Sequence, residues 1–147
     1  MKSCISYKII PEKKLVLEYF CGNLVWDDLI NNKKKLALEK NYNPTFNIID
    51  DVRDAFVVYK EENIVEFVEL LRNNSELYGI RKTAILTDKP NHLINSVILD
   101  SLKKDLPINL KTVSALLTAT KWVNASPSDF KLIKDSLTEL KNKAQNL

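Results

Sequence analysis

The stretch Phe46-Asn47-Ile48-Ile49-Asp50-Asp51-Val52-Arg53-Asp54 decides the architecture. Its apolar run is too short for a helix and too continuous for a half-exposed strand. It predicts a buried strand over 46–50 of a parallel sheet, closed by a charged loop. On its N-terminal side, Val25 to Lys40 carries Trp26, Leu29, Ile30 and Leu36 at helical spacing until Asn41-Tyr42-Asn43-Pro44 breaks the pattern. On its C-terminal side, Ile64, Phe67, Val68 and Leu71 fall at i, i+3, i+4 and i+7 behind an acidic first turn at Glu61 and Glu62. A buried strand between two amphipathic helices is the repeating element of parallel crossovers, which are right-handed.

Ser6 to Ile10 and Leu15 to Cys21 are short runs rich in Ile, Val, Leu, Tyr and Phe, separated by the turn-forming Pro11-Glu12-Lys13-Lys14. They predict a β-hairpin. Pairing Ile10 with Leu15 sets Cys4 directly across from Cys21 on one face, and Gly22-Asn23 is expected to close the hairpin. Downstream, Lys82 to Thr87 reads as a central strand, and Leu93, Ile94, Val97, Ile98 and Leu102 as a helix apolar over a wide arc. Ile108 to Val113 follows as the last strand and Ser114 to Val123 as a short helix. Ser126, Pro127 and Asp129 then mark the N-cap, first position and third position of a final helix. Phe130, Ile133, Leu137, Leu140 and Ala144 give that helix a narrow seam, expected to pack on the sheet, with a homodimer as the other option.

The element order is β-β-α-β-α-β-α-β-α-α, which is the α/β class. It implies a mixed, mostly parallel five-stranded sheet with helices packed on it and an N-terminal antiparallel hairpin. A single domain over 1–147 is expected, with its core about 5–124 and a C-terminal helix about 127–145.

The chain has 147 residues, 45% hydrophobic and 28% charged, with a formal charge of +3, the balance of an ordered globular chain. No apolar run approaches the roughly 18 residues of a membrane span. The opening MKSCISYKIIPEKK lacks the apolar core of a secretory signal. Two cysteines without CxxC spacing do not make a disulfide framework and suit a reducing cytoplasm.

The lone histidine, His92, cannot build a multi-histidine metal site or a His-paired triad. With Gly22 and Gly79 the only glycines, neither GxGxxG nor GxxxxGK[ST] can occur. The lysines are scattered among carboxylates, which disfavours nucleic acid as a partner. Lys33-Lys34-Lys35 reads as a solvated helix face, and Trp26 and Trp122 as packing residues. A metal or phosphoacceptor role for the adjacent aspartates fits poorly, because a response-regulator receiver orders its acidic residues differently and ends its fifth strand on a Lys that is missing here. Asp51, Arg53 and Asp54 are instead expected to cap the loop and pair with one another.

The element order, Gly22 leading into the first long helix, Asp51-Val52-Arg53-Asp54 after the third strand and Ala84-Ile85-Leu86-Thr87-Asp88 after the fourth together resemble the SpoIIAA-like, or STAS, domains of sulfate transporters and anti-sigma factor antagonists. Thr118-Ala119-Thr120-Lys121-Trp122-Val123 is similar to their short last helix. The likeness spans about residues 5–124 and is nearest to small stand-alone bacterial members.

The resemblance implies a regulatory protein-interaction domain without chemistry of its own: no enzyme activity, no cofactor, no metal, and a cytoplasmic protein partner. In anti-sigma factor antagonists a serine at the start of the helix after the third strand is phosphorylated. Tyr59-Lys60-Glu61-Glu62 stands where the family's Asp-Ser-Ser-Gly would fall, so that switch is missing. The candidate contact residues are Asp51, Arg53, Asp54, Tyr59, Lys60 and Glu61. The alternative is a carrier of a lipid or other small molecule, held between the sheet and the helix from Leu93 to Leu102.

Overall fold

The computed structural model describes residues 2–58, 60–74, 81–89 and 108–146. Strand β1 (Cys4–Ile10) passes through a 3-10 turn at Pro11–Lys13 into β2 (Leu15–Val25), and helix α1 (Trp26–Ala37) leads to β3 (Asn47–Val58). Helix α2 (Glu61–Asn73), strands β4 (Arg81–Leu86) and β5 (Ile108–Val113), and helices α3 (Leu116–Trp122) and α4 (Phe130–Gln145) complete the described elements. The strands form one sheet in the order β1-β2-β3-β4-β5. β1 and β2 are antiparallel and the other pairs parallel, as the alternating pattern requires.

The opening hairpin has the expected register, Ile10 opposite Leu15 and Cys4 opposite Cys21. Pro11 presets the backbone of the turn, and Lys14 closes it in the left-handed region at φ 51°, donating its N–H to the Pro11 carbonyl. The two cysteines are joined in a disulfide with a Cα–Cα distance of 5.0 Å, so they form one bridge where no framework was expected. Gly22-Asn23 does not end the hairpin; it lies inside β2. Gly22 takes φ +74°, and a Cβ on it would stand 2.7 Å from the Ser3 Cα, so close approach of the N-terminal backbone requires glycine here.

The larger departure is in β3. The strand continues through the charged cluster for 12 residues instead of ending at Asp50. Tyr19 faces Asp51 and Cys21 faces Asp54, two steps on β2 against three on β3, so Val52-Arg53 holds a β-bulge and not a loop. The charges stay in the strand because Asp51 pairs with Arg53 and Asp54 with Tyr19 and Lys141, and the apolar run Ala55-Phe56-Val57-Val58 carries the ladder on to Val25.

One face of the sheet packs Leu15, Leu17, Tyr19, Cys21, Ile49, Ala84 and Leu86 against Ala119 of α3 and Ile133, Leu137 and Leu140 of α4. The α4 seam therefore lies on the sheet of its own chain. Trp122 joins this cluster and donates Nε1–H to the Thr83 carbonyl at 3.3 Å, while Trp26 meets Phe67 edge-on at 5.5 Å, linking α1 to α2. Ser126 opens a 3-10 turn at Pro127–Asp129 rather than the helix itself, with its hydroxyl on Ser128, and α4 begins at Phe130. Among the described residues the opposite face carries the apolar clusters Phe20-Leu24-Ala55-Val57 and Val16-Leu36-Ile48. Between them lies a layer of charge. Among the described residues no helix is long and apolar enough to cross a membrane. Tyr59, His92 and the helix expected from Leu93 to Leu102 lie outside the described residues.

Candidate functional site

The bulge in β3 brings Asp51 and Arg53, two residues apart, onto one another. Arg53 Nε donates to Asp51 Oδ1 at 2.9 Å and Nη2 to Oδ2 at 2.7 Å, a two-pronged pair of the strong kind. Asp51 is only 3% exposed, so it orients the exposed Arg53 rather than presenting itself. Asp54 does not join that pair. Its Oδ2 accepts from the Tyr19 hydroxyl at 2.6 Å and from Lys141 of α4 at 3.0 Å. Burial alone would raise the Asp54 carboxyl, but these hydrogen bonds and the Lys141 charge outweigh it and hold it below its ordinary range. Tyr19 is pushed above its ordinary value, first by burial and then by Asp54.

Beyond the bulge, β2 and β3 project as a two-stranded ribbon. β1 pairs with β2 only as far as Cys21, and β4 with β3 only as far as Asp51, among the described residues. On one side of this ribbon Asn23 lies beside Phe56 and Val25 beside Val58, and Val25, Phe56 and Val58 are 58%, 56% and 74% exposed. Lys89 donates to the Arg53 carbonyl and holds its ammonium 5.4 Å from the Phe56 ring centroid. Lys60 caps α2 through its backbone N–H, which donates to Asn63 Oδ1 at 2.8 Å. The Lys60 and Glu61 side chains are exposed beside the ribbon's end in sequence. The geometry thus gathers Arg53, Asp54, Phe56 and Lys89 on one crest at the carboxyl ends of the strands, the usual place for a partner in such sheets.

A second cluster was not expected from the sequence. Tyr7, Glu18, Asp50 and Ile85 stand in register across β1 to β4, on the face opposite α4. Glu18 is wholly buried; Oε1 accepts from Asn32 Nδ2 at 2.6 Å and Oε2 from Lys33 Nζ at 2.5 Å. Lys33 therefore faces the sheet, correcting its assignment to a solvated face, while Lys34 and Lys35 are exposed.

Asp50 is raised well above its ordinary value, first by burial and further by the neighbouring Glu18 charge. Glu18 is lowered: burial would raise it, but the Lys33 charge and the hydrogen bonds from Asp50 and Lys33 prevail. The two carboxyl groups are driven in opposite directions, Asp50 toward its protonated form and Glu18 toward its carboxylate. Arg81 lies deep in the same layer, with Nη1 donating to the Tyr42 hydroxyl at 2.9 Å. Among the described residues Asp50 Oδ1 and Arg81 Nε have no hydrogen-bond partner. This layer can retain a proton and lock α1 onto the sheet. Its signal in the sequence was Glu18 within Leu15-Val16-Leu17-Glu18-Tyr19-Phe20, a carboxylate in the middle of an otherwise apolar central strand.

No family model matches the chain, and no curated protein matches it. It is similar to a solved structure, that of an uncharacterised protein from the DUF3478 family with a SpoIIAA-like fold from Shewanella loihica PV-4. The two are 12% identical, the match covers 84% of this chain and 96% of that one, and the TM-score is 0.57. At that identity the likeness concerns the fold. With the antiparallel opening hairpin, the parallel strands that follow and their order in the sheet, it shows that the chain has a SpoIIAA-like fold.

Proposed function

We propose that the chain is a non-catalytic, cytoplasmic interaction module, a regulatory one, that binds a protein partner with the crest of β2 and β3 and the start of α2, without a cofactor. The supporting observation is the exposure of Phe56 and Val58 on a ribbon that outruns its neighbouring strands, flanked by Arg53 and Lys89. Large apolar side chains ringed by charge are the composition of a contact surface, in which an aromatic residue supplies the anchor. Arg53 is held in place by Asp51 before any partner arrives, which lowers the entropy lost on docking. The Tyr59-Lys60-Glu61-Glu62 segment carries no serine, so docking is not controlled by serine phosphorylation there.

The test is a pull-down from native lysate, read by mass spectrometry, comparing the wild-type chain with Arg53→Ala/Lys60→Ala and Phe56→Ser variants. A specific partner retained by wild type and lost by both variants, with both variants still folded by circular dichroism, is the expected result. Retention of every wild-type partner by both variants removes the proposal.

A further inference from the structure

We propose that the Cys4–Cys21 bond is a reversible redox tie that sets the rigidity of the crest. The proposal rests on the docking role above for its consequence, not for its chemistry. Cys21 is the last residue of β2 that β1 pairs, and its partner across β3 is Asp54, so the bond sits where the sheet narrows to the two-stranded ribbon. A ribbon of two strands is marginally stable without support. Its support at this end is the N-terminal segment, whose Ser3 backbone lies against Gly22 at a distance that leaves no room for a Cβ. The disulfide holds that segment in place, because Cys4 follows Ser3 directly.

The two sulfurs are not equally accessible. Cys21 is 1% exposed and packed in the α4-side core, whereas Cys4 is only half-buried at its margin. A thiolate of a dithiol reductant therefore attacks Cys4 Sγ. The S–S bond breaks, the electron pair leaves on Cys21 Sγ, and that sulfur takes up a proton. The second thiol of the reductant then attacks the mixed disulfide and releases Cys4 as a thiol, so two electrons enter the protein and the dithiol leaves as a disulfide. A low-molecular-weight disulfide such as oxidised glutathione reverses the sequence. The fold outlasts the reduction, because the six register pairs from Ile5 opposite Phe20 to Ile10 opposite Leu15 still hold β1 to β2, and Ile10 stays in the core. What changes is local: residues 2–4 are released from the ribbon's base, and the crest loosens.

The experiment is hydrogen exchange read by mass spectrometry on the full chain, without a partner, poised in oxidised glutathione or in dithiothreitol. Amides of 22–25 and 55–58 are expected to exchange about tenfold faster in the reduced protein, while those of 15–17 and 48–49 keep their protection. A Cys4→Ser variant should show the reduced pattern under both conditions. Equal crest exchange in the two states overturns the proposal, as does loss of protection throughout the sheet on reduction, which would make the bond a fold-wide staple. Failure of oxidised glutathione to form the bond, seen as an unchanged intact mass, overturns it as well. If exchange switches with redox state while the pull-down variants keep all their partners, the tie stands and the docking role falls.

Discussion

Lys33 of α1 meets Glu18 of β2 at 2.5 Å, and the carboxylate it meets has no contact with solvent. A charge so placed is stabilising only while its partner is present, since the desolvation cost of the remaining ion is otherwise uncompensated. Lys33→Met is therefore expected to lower unfolding free energy by about 3–5 kcal/mol, the range for breaking a buried pair. Adding Glu18→Gln to that variant should restore most of the loss, because Asn32 can still donate to the carbonyl of the substituted amide once the charge is gone. Urea unfolding of the two single variants and the double variant checks this. A single Lys33 variant within the error of wild type would show the pair to be solvated.

The same layer gives stability a pH dependence with two opposing limbs. The Asp50 carboxyl sits above its ordinary value of 3.8, so its contribution is full below that value and is lost as pH rises through the folded one. Glu18 sits below its ordinary value of 4.5, so its contribution is present above 4.5 and is lost as pH falls through the folded one. Stability from this pair is greatest between the two folded values. In Asp50→Asn the alkaline limb should disappear while the acid limb stays. Melting temperature against pH, in a buffer series at constant ionic strength, reads this directly, and an unchanged alkaline slope in the variant would place the proton elsewhere.

Gly22→Ala tests the closure of the N-terminal segment. The substitution meets two obstacles, a left-handed φ of +74° and a Cβ 2.7 Å from the Ser3 Cα and N. Backbone strain of this kind costs about 1–3 kcal/mol. Chemical denaturation should show that loss, and a neutral substitution would mean that the Ser3 backbone yields without cost.

What the sequence made legible was local. Ile10 opposite Leu15, the β5 limits at Ile108 and Val113, and the α4 seam all follow from periodicity and turn chemistry within a few residues. The resemblance drawn from strand ends led to the SpoIIAA-like fold that the structure displays. The charged layer was not legible, because its partners are distant in the chain: Lys33 lies 15 residues from Glu18, and Arg81 lies 39 from Tyr42. Asp51-Val52-Arg53-Asp54 looks like a loop to any rule that sends charge to solvent. It is a strand because Arg53 and Lys141 neutralise its carboxylates in place and the Tyr19 hydroxyl donates to Asp54. The crest was half legible: Arg53, Asp54, Lys60 and Glu61 were singled out, but Phe56 and Val58 were not, since their exposure depends on how far β3 outruns β4.

That extension of β3 can be tested by the alternation it imposes. If 55–58 is strand, successive side chains face opposite sides of the sheet, as the exposures of 56% for Phe56, 9% for Val57 and 74% for Val58 indicate. Phe56→Ser removes a largely solvated ring and its contact with Lys89, a loss of no more than about 1 kcal/mol. Val58→Ser should lie within about 0.5 kcal/mol of wild type. Val57→Ser, by contrast, puts a hydroxyl into the cluster of Phe20, Leu24 and Ala55 and leaves a void there, so it should cost about 2 kcal/mol or more. Equilibrium unfolding of the three variants gives the pattern small, large, small. Similar values at all three positions would mean that the chain leaves the sheet at the bulge, and the crest would then be a loop without the fixed face on which docking depends.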